Sequence, residues 1–305
     1  MIDRRLLVLQ VLAQYGTVTS TATALNYTPS AVSAQLRALA EELGVTLLEP
    51  DGRRVKLTPA AHLLVQRAAD LNQLWEEIRA ELAVRAQTGP TLLRLCGFST
   101  PTAAILPALV TRLRTRRPEL EVRIEEADPA HCFELLLSDS CDLAVVVATG
   151  EVPPIDDPRF CQRTLLADPL EVLIHRDHPL AAAPELDLSD LAGQAWITDP
   201  EGTAYHRLFL TACLSAGFRP NIAHHAFEWE TAAALVSIGL GIALIPRLAN
   251  LPDRYPVRRV RLAGATAPRR QIIVATRAGS GDHPLLTEAL STLGELAEEI
   301  ARALE

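Results

Sequence analysis

The sequence predicts an α/β protein that carries an all-α winged helix-turn-helix at its N-terminus. Three observations predict this. Residues 17–58 run as short helix, turn, second helix and basic hairpin. Residues 59–87 hold no glycine, and their apolar residues recur at alternating spacings of four and three. From Thr91 onward, short apolar strands alternate with amphipathic helices, the texture of an α/β fold.

The 305 residues leave room for two or three domains of roughly 100–200 residues each. Apolar residues make up 49%, enough for sizeable cores and too many for a disordered chain. No run of about 18 apolar residues occurs, so no transmembrane helix is expected. Met1-Ile2-Asp3-Arg4-Arg5 leads straight into a helical pattern. It lacks the apolar core and cleavage site of a signal peptide, and a cytoplasmic location is expected. The five cysteines are odd in number and form no Cys-x-x-Cys pair. That argues against a disulfide framework and against zinc. Idle thiols are expected, with a redox sensor built on Cys132, Cys141 or Cys161 as the competing reading.

The net charge is −8, yet it is unevenly spread. Residues 1–60 hold six basic residues (Arg4, Arg5, Arg37, Arg53, Arg54, Lys56) against five acidic ones (Asp3, Glu41, Glu42, Glu49, Asp51). Residues 1–88 balance, so the whole excess of acid lies beyond residue 88. Phosphate attraction depends on charge at the contact face rather than on the total. A reader this thinly charged is expected to rely on dimerisation.

A first helix over Arg4–Gln14 has an apolar face of Leu6, Leu9, Val11 and Leu12, and Gly16 stops it. A second helix spans about Thr19–Leu25, with Thr17 or Thr19 as its N-cap. Asn26-Tyr27-Thr28 turns, and Pro29 sits at the first turn of the third helix, where its missing N–H costs nothing. On a helical wheel Val32, Leu36, Leu39 and Leu43 fall within about 60° of one another, the buried stripe. Ser30, Ser33, Ala34 and Arg37 lie opposite, with Gln35 at the margin. Small hydroxyls let a helix sink into a major groove, and Arg or Gln can bond base edges. Thr28, Ser30, Ser33, Gln35 and Arg37 are the expected DNA contacts on this helix.

Gly44 ends the third helix. Val45–Glu49 and Val55–Leu57 are expected strands around an Asp51-Gly52 turn, whose tip presents Arg53 and Arg54 to the phosphate backbone. Thr58-Pro59 then opens a long helix. Leu64, Ala68, Leu71, Trp75, Ile78 and Leu82 form a coiled-coil seam suited to dimerisation, against the alternative of intramolecular packing. Gly89-Pro90 ends the run.

Beyond it the order is βαβαβ. Leu92–Phe98 is a strand, Pro101–Arg117 a helix, Leu120–Glu126 a strand, Cys132–Ser138 a helix and Leu143–Val147 a wholly apolar strand suited to a parallel sheet. A second block follows. Its strands are Leu170–Ile174, Ala195–Thr198, His225–Phe227, Ile242–Ile245, Arg258–Leu262 and Gln271–Thr276. Helices follow Thr203, span Glu230–Ile238, and close the chain over Leu285–Leu304. Two blocks, the second inserted in the first, would face each other across a cleft where ligands sit at strand C-terminal ends.

On these residues the chain resembles LysR-type transcriptional regulators over essentially its full length. The N-terminal resemblance rests on Ala22 to Leu25, Pro29, Ala31-Val32-Ser33, Gln35 to Leu39, Glu41 to Val45, Leu47, Gly52 to Val55 and Leu57-Thr58. Further on it rests on Asp142 to Val145, His178-Pro179-Leu180 and Gly239 to Pro246. The resemblance implies three parts: a winged helix-turn-helix over 1–58, a dimerising linker helix over 59–88 and an effector-binding domain over 89–305. That domain would have two lobes of periplasmic-binding-protein type, lobe I at about 91–165 and 268–305 and lobe II at about 166–267. The resemblance also implies a homotetramer built as a dimer of dimers, with double-stranded DNA, a small-molecule effector and RNA polymerase as partners and no membrane. Effector contacts carried over from it are Ser99, Thr100, Thr102, Asp128, Thr149, Thr198, Asp199, Glu228 and Trp229. Ser99 and Thr100 also stand at a helix N-terminus suited to a carboxylate, whereas Asp128, Asp199 and Glu228 disfavour an anion, so the effector's charge stays open. The chain departs from the family pattern at Thr28-Pro29-Ser30, at Leu48 and Pro50, and at Ala60-Ala61. An arginine absent at Pro50 removes one phosphate contact.

The function expected is therefore a DNA-binding transcriptional regulator gated by a small molecule, with a cysteine-based redox regulator as the alternative. An enzyme using the cleft is the weaker reading. Gly-x-Ser-x-Gly, Walker, dinucleotide and His-Glu-x-x-His motifs are absent from the sequence. His175-x-x-His178 and His224-His225 are too sparse for a metal site, and no cofactor is expected.

Overall fold

The computed structural model describes residues 3–51, 54–85, 92–264 and 267–304. The hairpin tip at Gly52 and Arg53, and the end of the linker at Gly89-Pro90, lie outside the described residues.

The N-terminal unit holds α1 (Arg4–Tyr15), α2 (Val18–Ala24), α3 (Pro29–Leu43) and the antiparallel pair β1 (Leu48–Asp51) and β2 (Arg54–Leu57). Each helix start is written in the sequence. Asp3 accepts from the Arg5 amide, Thr17 from Ser20 and Thr28 from Ala31. These side chains satisfy amides that would otherwise be orphaned. Val8, Leu9 and Leu12 of α1 bury against Val32, Leu36 and Leu39 of α3. The first strand of the hairpin starts at Leu48 rather than at Val45. The Val45 amide closes α3 instead, donating to Ala40 O at 3.1 Å while Gly44 donates to Glu41 O, a helix-stop arrangement that delays the strand.

Helix α4 (Pro59–Arg85) follows, with Thr58 as its cap: its hydroxyl takes the Ala61 amide and donates to Thr46 O at 2.7 Å. At 1.5 Å per residue its 27 residues span about 40 Å.

Lobe I begins with β3 (Leu92–Gly97), α5 (Ser99–Ala104), α6 (Leu106–Arg116), β4 (Glu121–Glu126), α7 (Pro129–Leu137) and β5 (Leu143–Val147). The expected helix over Pro101–Arg117 is two helices, broken at Ile105. Pro107 has no N–H to give to the preceding turn, so the α5 ladder cannot run on. Helix α7 starts at Pro129, three residues before the expected Cys132, because proline fits its first position.

The chain then enters β6 (Phe160–His175), which runs through Asp168-Pro169 and is far longer than the expected Leu170–Ile174. It is shared by both lobes. Phe160–Pro169 pairs with β12 (Arg269–Arg277), and Leu170–His175 pairs with β10 (Ile242–Pro246) and β11 (Val257–Leu262). Pro169 is tolerated at this crossing because its own carbonyl still accepts from Arg247 at 2.9 Å. Lobe II also holds β7 (Glu185–Leu186), β8 (Ala195–Thr198), α8 (Ala204–Ser215), β9 (Asn221–His225) and α9 (Trp229–Ser237), and α10 (Pro284–Leu304) closes lobe I. Strands β3, β4 and β5 are parallel, as expected, while β12 is antiparallel to β5 and β6.

Lobe I buries an apolar layer on each sheet face. One layer is built on α6 and α10. The other is built on α7, and it takes in Leu7 and Val11 of α1. The N-terminal unit is thus packed directly onto lobe I through α7.

Candidate functional site

On α3, Ser30, Ala34 and Arg37 are exposed, with Ser33 and Gln35 half-buried beside them. Thr28 is also exposed, but its hydroxyl already takes the Ala31 amide at 3.2 Å and lies 3.0 Å from Ser30 Oγ. Its first task is therefore to cap the helix. Arg37 makes no ion pair among the described residues. Arg53 lies outside the described residues, and Arg54 is described only as backbone of β2.

The expected seam on α4 divides between two faces. Ala68 is buried, and Leu64 is half-buried against the core of the N-terminal unit. Leu71, Trp75, Ile78 and Leu82 are exposed, at spacings of four, three and four. The opposite face is docked by charge rather than by apolar packing. Glu76 meets Arg277 at 3.1 Å, Arg79 meets Asp139 at 3.2 Å, and Arg277 meets Asp142 at 3.2 Å. Arg94 joins both aspartates, at 3.0 Å to Asp139 and 2.5 Å to Asp142. A Cβ at Gly279, whose φ is +81°, would stand 2.3 Å from Gln73 O, so only glycine lets α4 lie this close.

Between the lobes lies a cavity of about 720 Å³, within the range that small-molecule sites occupy. It forms where β3, β4, β5 and β8 end and α5, α7, α8 and α9 begin. Six of the expected effector residues line it: Ser99, Asp128, Thr149, Asp199, Glu228 and Trp229. Thr100, Thr102 and Thr198 do not. Thr102 is turned beneath Gly97, where a Cβ would come within 2.7 Å of its hydroxyl; Thr100 and Thr198 are buried.

Sequence reading missed Phe98, Glu126, Tyr205, Phe227 and Arg270, which also line the cavity. Phe98 follows β3 and Glu126 ends β4, so both were within reach of a positional argument. Tyr205 packs edge-on against Trp229, with ring centroids 4.8 Å apart, and donates to Leu244 O at 2.9 Å. Arg270 arrives on β12 from far down the chain. It is buried and paired with the equally buried Asp168 at 2.9 Å.

Burial pushes the Asp199 carboxyl up to about 6, with Glu228 adding to the rise and the Thr203 hydroxyl opposing it. His206 and His225 both hydrogen-bond the Asp199 carbonyl, at 2.9 and 3.1 Å, which fixes the backbone at the end of β8. The folded value of Asp199 lies above its unfolded one. Its contribution to stability is therefore greatest at acid pH and is lost as pH rises through about 6. Lowering the pH from 7 to 5 should stabilise the protein by roughly 1 kcal/mol through this partly exposed group. Thermal midpoints of the wild type and of Asp199→Asn at both pH values check this: the variant should lose that pH response.

Four of the five cysteines, Cys96, Cys132, Cys141 and Cys213, are buried, and Cys161 is half-buried. Hydrogen bonding to Cys132 and Cys141, together with burial, pushes the Cys96 thiol up, and burial pushes Cys213 up to about 12. Both shifts oppose thiolate reactivity. Among the described residues no three His, Cys, Asp or Glu side chains group as metal ligands, and no helix is long and apolar enough to cross a membrane.

Residues 4–62 match the family model described as bacterial regulatory helix-turn-helix protein, lysR family, and residues 86–298 match the LysR substrate binding domain. The chain is 31% identical to the HTH-type transcriptional regulator CatR of Pseudomonas putida, over 97% of this chain and 99% of that one. It is 30% identical to the dual regulator OxyR of Escherichia coli, over 82% and 80%. Among solved structures it is similar to full-length CbnR in complex with its target DNA: TM-score 0.59, 21% identity, 97% of this chain and 99% of that one. It is also similar to an OxyR mutant of Corynebacterium glutamicum: TM-score 0.61, 24% identity, 99% and 92%.

Proposed function

This chain belongs to the LysR family of transcriptional regulators; it is a DNA-binding regulator with an effector-binding domain, and we propose that a small molecule between its lobes sets how paired readers sit on DNA. The observation that carries this is the joining of the two sites by one helix. Asp128, Pro129 and Ala130 at the start of α7 line the cavity. Phe133 and Leu136 further along share an apolar layer with Leu7 and Val11 of α1. Glu134, also on α7, accepts from the Tyr15 hydroxyl of α1 and lies 2.6 Å from His131 Nδ1. A ligand that moves α7 on closing the lobes moves the reader with it.

In this proposal residues 1–58 read DNA, 59–88 pair two copies, and 89–305 take the effector. Ser30, Ser33, Gln35 and Arg37 enter the major groove, and Arg53 and Arg54 meet phosphates. Leu71, Trp75, Ile78 and Leu82 face the same residues of a second copy, and two such dimers form the tetramer. The chain acts in the cytoplasm, without catalytic turnover, on transcription by RNA polymerase. OxyR stands among the relatives, so a redox trigger is the rival. The buried cysteines here favour a ligand instead, and peroxide should leave DNA affinity unchanged. A peroxide-dependent shift that disappears when the cysteines are replaced by serine would reverse that choice.

The test is gel-shift binding of the full chain to DNA flanking its own gene. A discrete complex that survives non-specific competitor is expected, weakened about 10- to 100-fold in Arg37→Ala. Binding that competitor DNA abolishes would defeat the proposal.

A further inference from the structure

The balance of charge in the interlobe cavity points to a small organic cation as its occupant; we infer that the effector is a protonated or quaternary amine with an apolar body. This inference rests on the cavity's being the effector site. Glu126, Asp128, Asp199 and Glu228 line it, and none of the four has an ion-pair partner among the described residues. A fifth lining carboxylate, Glu151, is held by Arg207, which faces a neighbouring groove.

The one arginine that lines the cavity, Arg270, is already neutralised by the buried Asp168. Its Nε and Nη2 both stand 2.9 Å from Asp168 Oδ2, so its charge is committed to that carboxylate. The N-termini of α5, α7, α8 and α9 add positive ends of about +0.5 each, which leaves the lining negative by about two charges. Asp128 and Glu228 are the N-cap residues of α7 and α9, yet neither side chain makes a capping hydrogen bond. Their oxygens are therefore free to meet a cation.

Four aromatic residues, Phe98, Tyr205, Phe227 and Trp229, also line the cavity. Tyr205 and Trp229 pack edge to face, and Phe227 is largely exposed at the same cavity. Ring faces beside free carboxylates are the surroundings that hold an ammonium group. Burial raises the Asp199 carboxyl and the neighbouring Glu228 adds to the rise, in keeping with acids that no cation of the lining answers. A metal ion fits less well, because no three of the lining acids group as ligands among the described residues.

The experiment is a thermal-shift comparison on the full chain with probes matched in shape and opposite in charge. Phenethylamine is set against phenylpropionate, and putrescine against adipate, each at millimolar concentration. An amine should raise the midpoint by several degrees while its acid partner does not. The rise should vanish in the double variant Asp199→Asn, Glu228→Gln, whose own midpoint shows whether it has folded. Stabilisation by the acids alone overturns the inference while leaving the cavity an effector site. So does an equal amine effect in the double variant, which marks binding to the acidic surface at large. No shift with any probe also overturns it, and gel-shift binding to DNA then decides the regulator reading separately.

Discussion

Ile78→Glu combined with Leu82→Glu should leave the chain monomeric and lower its affinity for two-half-site DNA by roughly 100-fold or more. Both side chains are exposed, at 39% and 59%, so the substitutions remove little that this chain uses for its own packing. In a paired seam, however, they set glutamates against glutamates, which like-charge repulsion and lost apolar contact both disfavour. The affinity follows from the charge of the reader. Residues 1–60 sum to +1, too little for tight binding by one copy. Two linked readers bind the second half-site at an effective concentration in the millimolar range, and the monomer loses that advantage. Sedimentation gives the mass, and gel shift on intact and half sites gives the affinity. A variant that stays dimeric would place the pairing elsewhere.

Arg277→Met should cost about 3 kcal/mol and free α4 from lobe I. Arg277 touches Glu76, Asp139 and Asp142 at once, and it is only 10% exposed. Removing it leaves buried carboxylates with Arg79 and Arg94 alone, and a broken buried ion network is typically worth 3–5 kcal/mol. The thermal midpoint should fall by several degrees, with faster hydrogen exchange along residues 73–80. The same cluster carries a pH signature. Burial raises the Asp139 and Asp142 carboxyls, but Arg277, Arg94 and, for Asp139, Arg79 outweigh it and hold both below the usual carboxylate value. Their stabilisation is therefore complete above about pH 4 and is lost as pH falls through the lowered folded values. In Arg277→Met that acid lability should shrink. An unchanged midpoint would show that the cluster contributes little to docking the helix.

A third substitution separates coupling from binding. Tyr15→Phe removes the hydroxyl that reaches Glu134 but leaves the ring in its apolar layer. Basal DNA affinity should hold, while the change in affinity on adding a stabilising ligand should shrink. A full response in the variant would move the coupling to other contacts between α1 and lobe I.

Much of the reader was legible in the sequence because its signals are local. Thr17 and Thr58 cap the helices they precede, and Pro29 opens α3, whereas Thr28, read as a turn residue and DNA contact, is the cap of α3. The wing was misplaced by three residues because a helix stop claimed the Val45 amide, a competition that alternating apolar residues do not reveal. Asp128, Asp199 and Glu228 came from the family resemblance, and all three line the cavity. Arg270 was not legible, since β12 returns to lobe I only after the whole of lobe II. The cluster around Arg277 was equally hidden: its partners lie some 135 to 200 residues away, and no periodicity encodes such a pairing. Gly279 is required only by the approach of α4, and nothing in its local sequence encodes that contact.

DNase protection of the region upstream of this chain's own gene tests the central claim most directly. The account predicts two protected half-sites related by two-fold symmetry and separated by whole helical turns of about 10.5 base pairs. Protection should be lost in the Ile78→Glu, Leu82→Glu variant, and its spacing or extent should change with a ligand that stabilises the chain. Uniform protection without a discrete site, or one unchanged by every stabilising ligand, would contradict it.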